Sequence, residues 1–372
     1  MCAKKKVAIV GIQGLPANYG GFETMVENII GENCSENIEY TVFGSAVDMV
    51  KTVDMKEYKG AKLRYVKLFK ANGAQSTPYD IVSMFKCVGK GYDVVLVLGV
   101  SGCIFLPIFR LLYRGKLIVN IDGLEHRRAK WGKFAKWFLR FSEKCAVKIA
   151  DVIVSDNVGI QKYVTETYGK HSEMIAYGGD QALREVSAEK EREILEKYGL
   201  EKGRYAFTVC RIEPENNCHV TLEAFAKMSQ DENPRLKKLM FVGNWSRSAY
   251  GYDMMKKYEK YANIMIQTPI YDLDTLYVLR SCAGMYVHGH SAGGTNPSLV
   301  EAMQFPVPII AYDCIYNRET THGKAMYFGD ADSLVAYLHD DASHKQVGLA
   351  MQEIAKNEYQ WKIIAAKYER LY

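Results

Sequence analysis

No CxxC pair occurs in the 372-residue chain, and its nine cysteines are odd in number and scattered from Cys2 to Cys314. That spacing excludes a disulfide framework and fits a reducing compartment. No His/Cys cluster suggests a metal site either. Net charge is nearly absent: Lys and Arg number 48 against 43 Asp and Glu, a surplus of +5. This is far below what a nucleic-acid-binding chain carries, so any basic function must be local. Nor is there an unbroken apolar span. The longest candidate, Val94 to Tyr113, is interrupted by Gly99, Ser101, Gly102, Pro107 and Arg110, which reads as a buried strand followed by a helix. The N-terminus passes from three lysines into a short apolar run without a cleavage-like small-residue site, which excludes a signal peptide and leads us to expect a cytosolic protein.

What is present is a regular alternation of β-rich runs and longer helical patterns. "VAIVGI", "EYTVFGS", "AKLRYVKL", "DVVLVLG", "KLIVNIDG" and "DVIVSD" lie in the first half. After Gly178-Gly179-Asp180 and a charged helix around Glu189 to Tyr198, the pattern restarts with "YAFTVCRI", "KKLMFVGN", "IMIQTPIY", "AGMYVHG" and "VPIIAYD". Alternation of this kind predicts parallel sheets, and the length and 48% hydrophobic content fit two domains. We place them at residues 1–180 and 181–356, with 357–372 forming a helix that packs back on the first. Ligands of doubly wound sheets bind beyond the carboxyl ends of the strands, so residues just after each strand are the candidates for function.

The loop "GIQGLPANYGGFET" joins the first strand to a helix whose Phe22, Met25, Val26, Ile29 and Ile30 form one apolar stripe. Its glycines do not complete the G-x-G-x-x-G dinucleotide fingerprint, which argues against a nicotinamide or flavin site. Gly20-Gly21 would still let backbone approach an anion or a sugar, unless the loop is only a tight turn. In the second half, "HSAGGTNPSLVEAM" sets an N-cap, Asn296, before Pro297 at the first helical position. Free N–H groups at Ser298 and Leu299 would then suit a diphosphate, and Glu301, one turn on, would suit ribose hydroxyls or serve as an ordinary first-turn acid. "CRIEPENN" places Arg211, Glu213, Glu215, Asn216 and Asn217 after a strand, where Arg211 either holds a diphosphate or pairs with its neighbouring glutamates.

Asp122, Glu125 and His126 follow one strand of the first half and Asp156 the next, as acids to orient an acceptor hydroxyl or as helix N-caps. The segment 127–144 carries Trp131, Phe134, Phe138 and Phe141 at helical spacing beside Arg128, Lys130, Lys133, Lys136, Arg140 and Lys144. It is either a membrane-surface helix or a core-facing aromatic stripe with a solvated basic face. "DLD" at Asp272 to Asp274 looks like a metal-binding DxD, but helix capping explains it better.

Taken in order, "GIQGLPANYGGFET", "DGLEHRRAKW", "CRIEPENN", "GGTNPSLVEAM" and "YNRE" resemble the retaining glycosyltransferases of family 4 with the GT-B fold, and within them the bacterial rhamnosyltransferase group with a DUF1972-type N-terminal domain. The resemblance implies an α/β chain of two Rossmann-like doubly wound domains facing a central cleft. It implies that Arg211, Glu215, Asn216 and Asn217 approach the donor diphosphate, that Thr295, Asn296, Pro297, Ser298 and Glu301 hold phosphate and ribose, and that Tyr19, Gly20 and Gly21 lie against the transferred sugar. Asp122, Asp156 and Glu125 become the catalytic candidates. The sequence departs from the wider family where Asn216-Asn217 and Gly293 replace a lysine and a glutamate, and from the closer group where His126 replaces a tryptophan, which counts against His126 as a base.

The expected reaction is front-face transfer of L-rhamnose from dTDP-β-L-rhamnose to a lipid-linked saccharide in surface polysaccharide synthesis. No cofactor or metal is expected, and contact with the inner face of the membrane would run through 127–144. A UDP-hexose donor and a non-catalytic sugar-nucleotide-binding protein are the competing expectations.

Overall fold

The computed structural model describes residues 4–17, 20–45, 55–67, 76–128, 131–231, 234–340 and 344–372. The chain divides into two compact units, Met1–Tyr177 with Trp361–Tyr372, and Gly178–Gln360.

The first unit is built on β1 (Lys5–Val10), β2 (Ile38–Ser45), β3 (Glu57–Tyr58), β4 (Ala61–Val66), β5 (Val94–Leu98), β6 (Lys116–Asn120), β7 (Val152–Ser155) and β8 (Glu173–Met174). Their order across the sheet is β3-β4-β2-β1-β5-β6-β7-β8, with β3–β4 the antiparallel pair. All five residues of β5 are buried, because a parallel strand covered on both faces has no polar side to present. Val7 of β1 lies opposite Tyr40 on one side and Val94 on the other, so the strand order reverses between β1 and β5. There β1 stops short of the expected Ile12. Gly11 turns to φ +104°, and a Cβ on it would sit 2.1 Å from the Leu98 carbonyl oxygen. The closing helix Trp361–Leu371 buries Trp361, Ile364, Ala365 and Tyr368 at three- and four-residue spacing and packs on helix Gly21–Glu32. Asn120 donates to the Tyr368 hydroxyl at 2.7 Å, and Lys5 reaches the Tyr372 carbonyl at 2.8 Å.

The second unit contains β9 (Tyr205–Val209), β10 (Lys238–Val242), β11 (Ile264–Gln267), β12 (Met285–His288), β13 (Ile309–Tyr312) and β14 (Met326–Phe328). The order β11-β10-β9-β12-β13-β14, parallel throughout, is that of a doubly wound nucleotide-binding sheet, and its reversal lies between β9 and β12. The two- and three-residue strands β3, β8 and β14 have no counterpart in the sequence reading, since they are too short to show a period.

Candidate functional site

In the second unit, the loops after β9 and β12 meet at the reversal point. Arg211 follows β9 with its side chain 41% exposed and its guanidinium 3.9 Å from Glu213, a contact too long to tie it down. The loop beneath it is fixed. Asn216 donates to the Arg211 carbonyl at 2.7 Å and accepts from His290 Nδ1 at 2.8 Å, while Asn217, at φ 45°, donates to the Gly289 carbonyl at 2.8 Å. Only glycine fits at 289, where a Cβ would stand 2.1 Å from the Asn216 carbonyl oxygen. The amides of Asn216 and Asn217 are thus spent on the fold, holding the Arg211 loop against the end of β12. Glu215 keeps a buried Oε1 with no hydrogen-bond partner. Asn317, in the "YNRE" stretch, donates to the His290 carbonyl at 2.8 Å and closes the same cluster.

The helix expected after Asn296 is present as Pro297–Ala302, capped by that asparagine. The expectation that Ser298 and Leu299 present free N–H groups fails: Ser298 N donates to Asn296 Oδ1 at 3.0 Å and Leu299 N to the Asn296 carbonyl at 3.0 Å. A side-chain cap consumes the donors an uncapped terminus would offer. Gly293, at φ +86°, and Thr295, which is buried, lie just ahead of this cap. Glu301 is not a loose first-turn acid. The buried Arg280 guanidinium holds its Oε2, and Gln181 donates to its Oε1 at 2.8 Å, leaving further lone pairs on a partly exposed carboxylate. Arg280 and Gln181 lie 21 and 120 residues away in sequence, and no local pattern marks them. Arg247, exposed after the neighbouring strand β10, is a second guanidinium at this sheet edge that the motif reading passed over.

Behind the cluster, burial first and then the neighbouring His290 push the His288 imidazole down to about 3, so it stays neutral. In the "DLD" stretch, Asp272 caps the helix Leu273–Ser281 through Thr275, and Asp274 pairs with Lys190.

In the first unit, the opening loop is held by acids of its own helix. Glu23 accepts from Gln13 N at 2.9 Å and Glu27 from Ala17 N at 2.7 Å. Gly20, at φ +131°, lies so close that a Cβ would be 2.0 Å from Glu23 Oε2. Burial, outweighing the Gln13 hydrogen bond, raises the Glu23 carboxyl above its usual range. A loop floored by carboxylates is a poor cradle for an anion and a better one for hydroxyls. Tyr19 lies outside the described residues.

Asp122 stands at φ 56° with its N–H donating to Asn120 Oδ1 at 2.9 Å, a conformation that turns the chain sharply after β6. The helix-cap reading fails for Asp156, because Asn157 caps helix Val158–Tyr168 by accepting from Gly159 N at 2.8 Å. The charges of Asp122 and Asp156 both reach the buried Tyr177, whose phenol is held protonated by burial first and then by these two carboxylates. Glu125 accepts from Trp131 Nε1 at 3.0 Å and pairs with Arg128 at 2.8 Å, so its carboxylate positions the tryptophan. His126 Nδ1 lies 3.1 Å from Glu143, which also accepts from Tyr163 and Tyr168.

A pocket of about 620 Å³ opens beside Asp122, Glu125 and Gly11, lined mostly by apolar groups including Phe22, Trp131 and Phe138, with Ser76, Thr77 and Ser101. The aromatic stripe of segment 127–144 divides differently from either expectation. Helix Lys133–Ile149 begins after Trp131, and its core face is Leu139, Ser142, Ala146 and Val147 with the buried Glu143. Phe138 and Phe134 line the pocket, and Phe134 is also exposed beside Trp137, which stacks on the exposed Phe141. Among the described residues, no helix is long and apolar enough to cross a membrane.

Residues 4–180 match the family described as "Domain of unknown function (DUF1972)", and residues 190–361 match "Glycosyl transferases group 1". No match is found among curated proteins. Among solved structures, the chain is similar to sucrose-phosphate synthase from Thermosynechococcus elongatus, at 15% identity and a TM-score of 0.80 over 99% of this chain and 98% of that one. HepE from Anabaena in complex with UDP and glucose aligns at 15% identity and a TM-score of 0.76, covering 98% of each chain. A glycosyltransferase from Rickettsia africae aligns at 13% and 0.74, covering 100% of this chain and 98% of that one. At these identities the likeness establishes the fold, two Rossmann-like halves of the GT-B type.

Proposed function

We propose that this chain, a group 1 glycosyltransferase that takes its sugar from a nucleotide donor, moves L-rhamnose from dTDP-β-L-rhamnose to a lipid-linked saccharide during surface polysaccharide synthesis. The observation that carries the transfer reading is the pairing of an exposed, loosely held Arg211 with a Glu301 fixed by Arg280 and Gln181, in the unit that matches the group 1 family. In this reading Arg211 neutralises the donor diphosphate, helped by Arg247, and Glu301 accepts from the 3′-hydroxyl of the nucleotide's deoxyribose. With the Ser298 and Leu299 amides taken by the Asn296 cap, the guanidinium groups carry most of that charge, and the reaction proceeds without a metal.

Transfer is front-face and retaining. The departing diphosphate takes the proton of the acceptor hydroxyl, and Asp122 and Asp156 orient that hydroxyl. The choice of rhamnose rests on the resemblance of "GLPANYGGFET", and the carboxylates that hold this loop favour a sugar over a phosphate beside it. The acceptor is membrane-borne, and the protein is peripheral at the inner membrane face through the exposed Phe134, Trp137 and Phe141. A second donor, a UDP-hexose, is favoured by the UDP and glucose bound to Anabaena HepE.

Hydrolysis and transfer measured across dTDP-rhamnose, UDP-glucose and UDP-galactose separate the two. Turnover of a UDP-sugar with none of dTDP-rhamnose would remove the rhamnose assignment and leave the reaction class.

A further inference from the structure

The pocket beside Asp122 is more apolar than a saccharide requires. Its volume of about 620 Å³ lies within the roughly 300–1,000 Å³ of small-molecule sites. Hydroxyl-rich ligands are held by polar groups, yet most of this wall is hydrocarbon and aromatic: Phe22, Val100, Trp131, Phe134, Phe138 and Leu139. Its charged groups are Asp122 and Glu125, and of the hydroxyls that also line it, Thr77 is spent on the Ser101 carbonyl and Ser101 on Asp80. The site therefore suits a ligand with a polar end and an apolar tail.

The same wall continues onto the surface. Phe134 lines the pocket and is also 77% exposed, with its ring 5.9 Å from that of Trp137, which is 62% exposed and stacks on Phe141. Ile108, Leu111 and Leu112 of the adjoining helix Leu106–Leu112 are exposed as well, and the two helices pack together. Around these apolar groups stand exposed Lys133, Arg140, Lys144 and Arg114. The one acid of helix Lys133–Ile149, Glu143, is buried against His126, Tyr163 and Tyr168. An apolar ridge edged only with cations on this helix is complementary to an anionic bilayer, and it leads directly into the pocket.

We infer that this pocket receives the isoprenoid or alkyl chain of the acceptor, drawn from an anionic membrane surface along the Phe134–Trp137–Phe141 ridge, with the acceptor's polar end at Asp122. This rests on the membrane-borne acceptor proposed above and specifies how it is recognised. The enzyme would then read the lipid as well as the sugar. Each methylene buried raises affinity about fourfold, so burial of only two beyond a short chain gives more than tenfold.

Binding of farnesyl phosphate and isopentenyl phosphate to the full chain, measured by equilibrium dialysis, tests this apart from catalysis. The two share a phosphate and differ in isoprenoid chain length and in the position of the first double bond. Farnesyl phosphate is expected to bind at least tenfold tighter, and Ala135→Trp, which fills the pocket from its helix wall, is expected to erase the difference while circular dichroism shows the native fold. Should Ala135→Trp fail to fold, Ala135→Leu gives a smaller filling and a smaller, same-signed loss. Equal binding of the two phosphates, or a preference untouched by a folded Ala135 variant, would overturn the inference. If the preference is found but no lipid-linked saccharide accepts sugar, the acceptor proposal falls and the pocket's ligand class stands.

Discussion

Replacing Glu301 by Gln probes whether its carboxylate serves the nucleotide or only the fold. The two oxygens are engaged on opposite sides, Oε2 by the buried Arg280 and Oε1 by Gln181 at 2.8 Å. A glutamine at 301 can keep its oxygen towards Arg280, and Gln181 can turn its amide over to accept from the new nitrogen. Shape and hydrogen bonds therefore survive, and charge alone is lost. The cost to stability is that of leaving Arg280, 7% exposed, without its counter-charge. Removing one partner of a buried pair costs about 3–5 kcal/mol, and the partial exposure of Glu301 reduces this to roughly 2–3.

For the donor, a hydrogen bond to a charged acceptor contributes about 1 kcal/mol more than one to a neutral acceptor, so the single 3′-hydroxyl of the dTDP deoxyribose loses about 1 kcal/mol, near fivefold in Kd. Isothermal titration with dTDP, beside urea unfolding, measures both. A Glu301→Gln protein that is less stable but binds dTDP with unchanged Kd would refute the ribose role and leave Glu301 as a structural acid.

Three further outcomes are expected. Asp156→Asn and Asp122→Asn should each lower transfer by at least tenfold while dTDP affinity stays within about twofold, and unchanged transfer would remove the residue from the reaction. Asp80, buried and bonded to Ser101, has its carboxyl pushed by burial from 3.8 up to about 7. The native state then holds a proton that the unfolded chain releases, so stability should fall as pH rises from about 4 to 7 and the full penalty persist above that. Asp80→Asn should flatten this slope and stabilise the protein at pH 8 by up to about 4 kcal/mol; identical urea midpoints for both proteins at pH 5 and pH 8 would contradict it. Trp137→Glu with Phe141→Glu should cut sedimentation with vesicles rich in anionic lipid by tenfold or more without changing the thermal midpoint, and undiminished sedimentation would show that the ridge does not meet the membrane.

Periodicity and turn chemistry settle much of this protein before any folding is considered. The apolar runs of β1, β5, β9 and β12 announce buried parallel strands because a strand covered on both faces must be apolar throughout. Asn296 before Pro297 announces a capped helix, and the failed glycine fingerprint after β1 excludes a dinucleotide, because these are local properties of a few consecutive residues. Arg211, Asp122 and Asp156 were legible as candidates because each follows a strand, and Glu301 because it lies one turn beyond Pro297.

What those residues touch was decided only by the tertiary structure. The cap that identified the Asn296 helix also consumed the amides expected to bind phosphate, and Glu301 acquired partners 21 and 120 residues away. In segment 127–144 the aromatic spacing left membrane and core both open. The helix begins at Lys133, and once Leu139, Ser142, Ala146 and Val147 had met the core, Phe138 was left to a pocket, Trp137 and Phe141 to solvent, and Phe134 to both. A sequence period states that a helix has faces; which neighbour each face meets is set by the packing of distant segments, which no local pattern encodes.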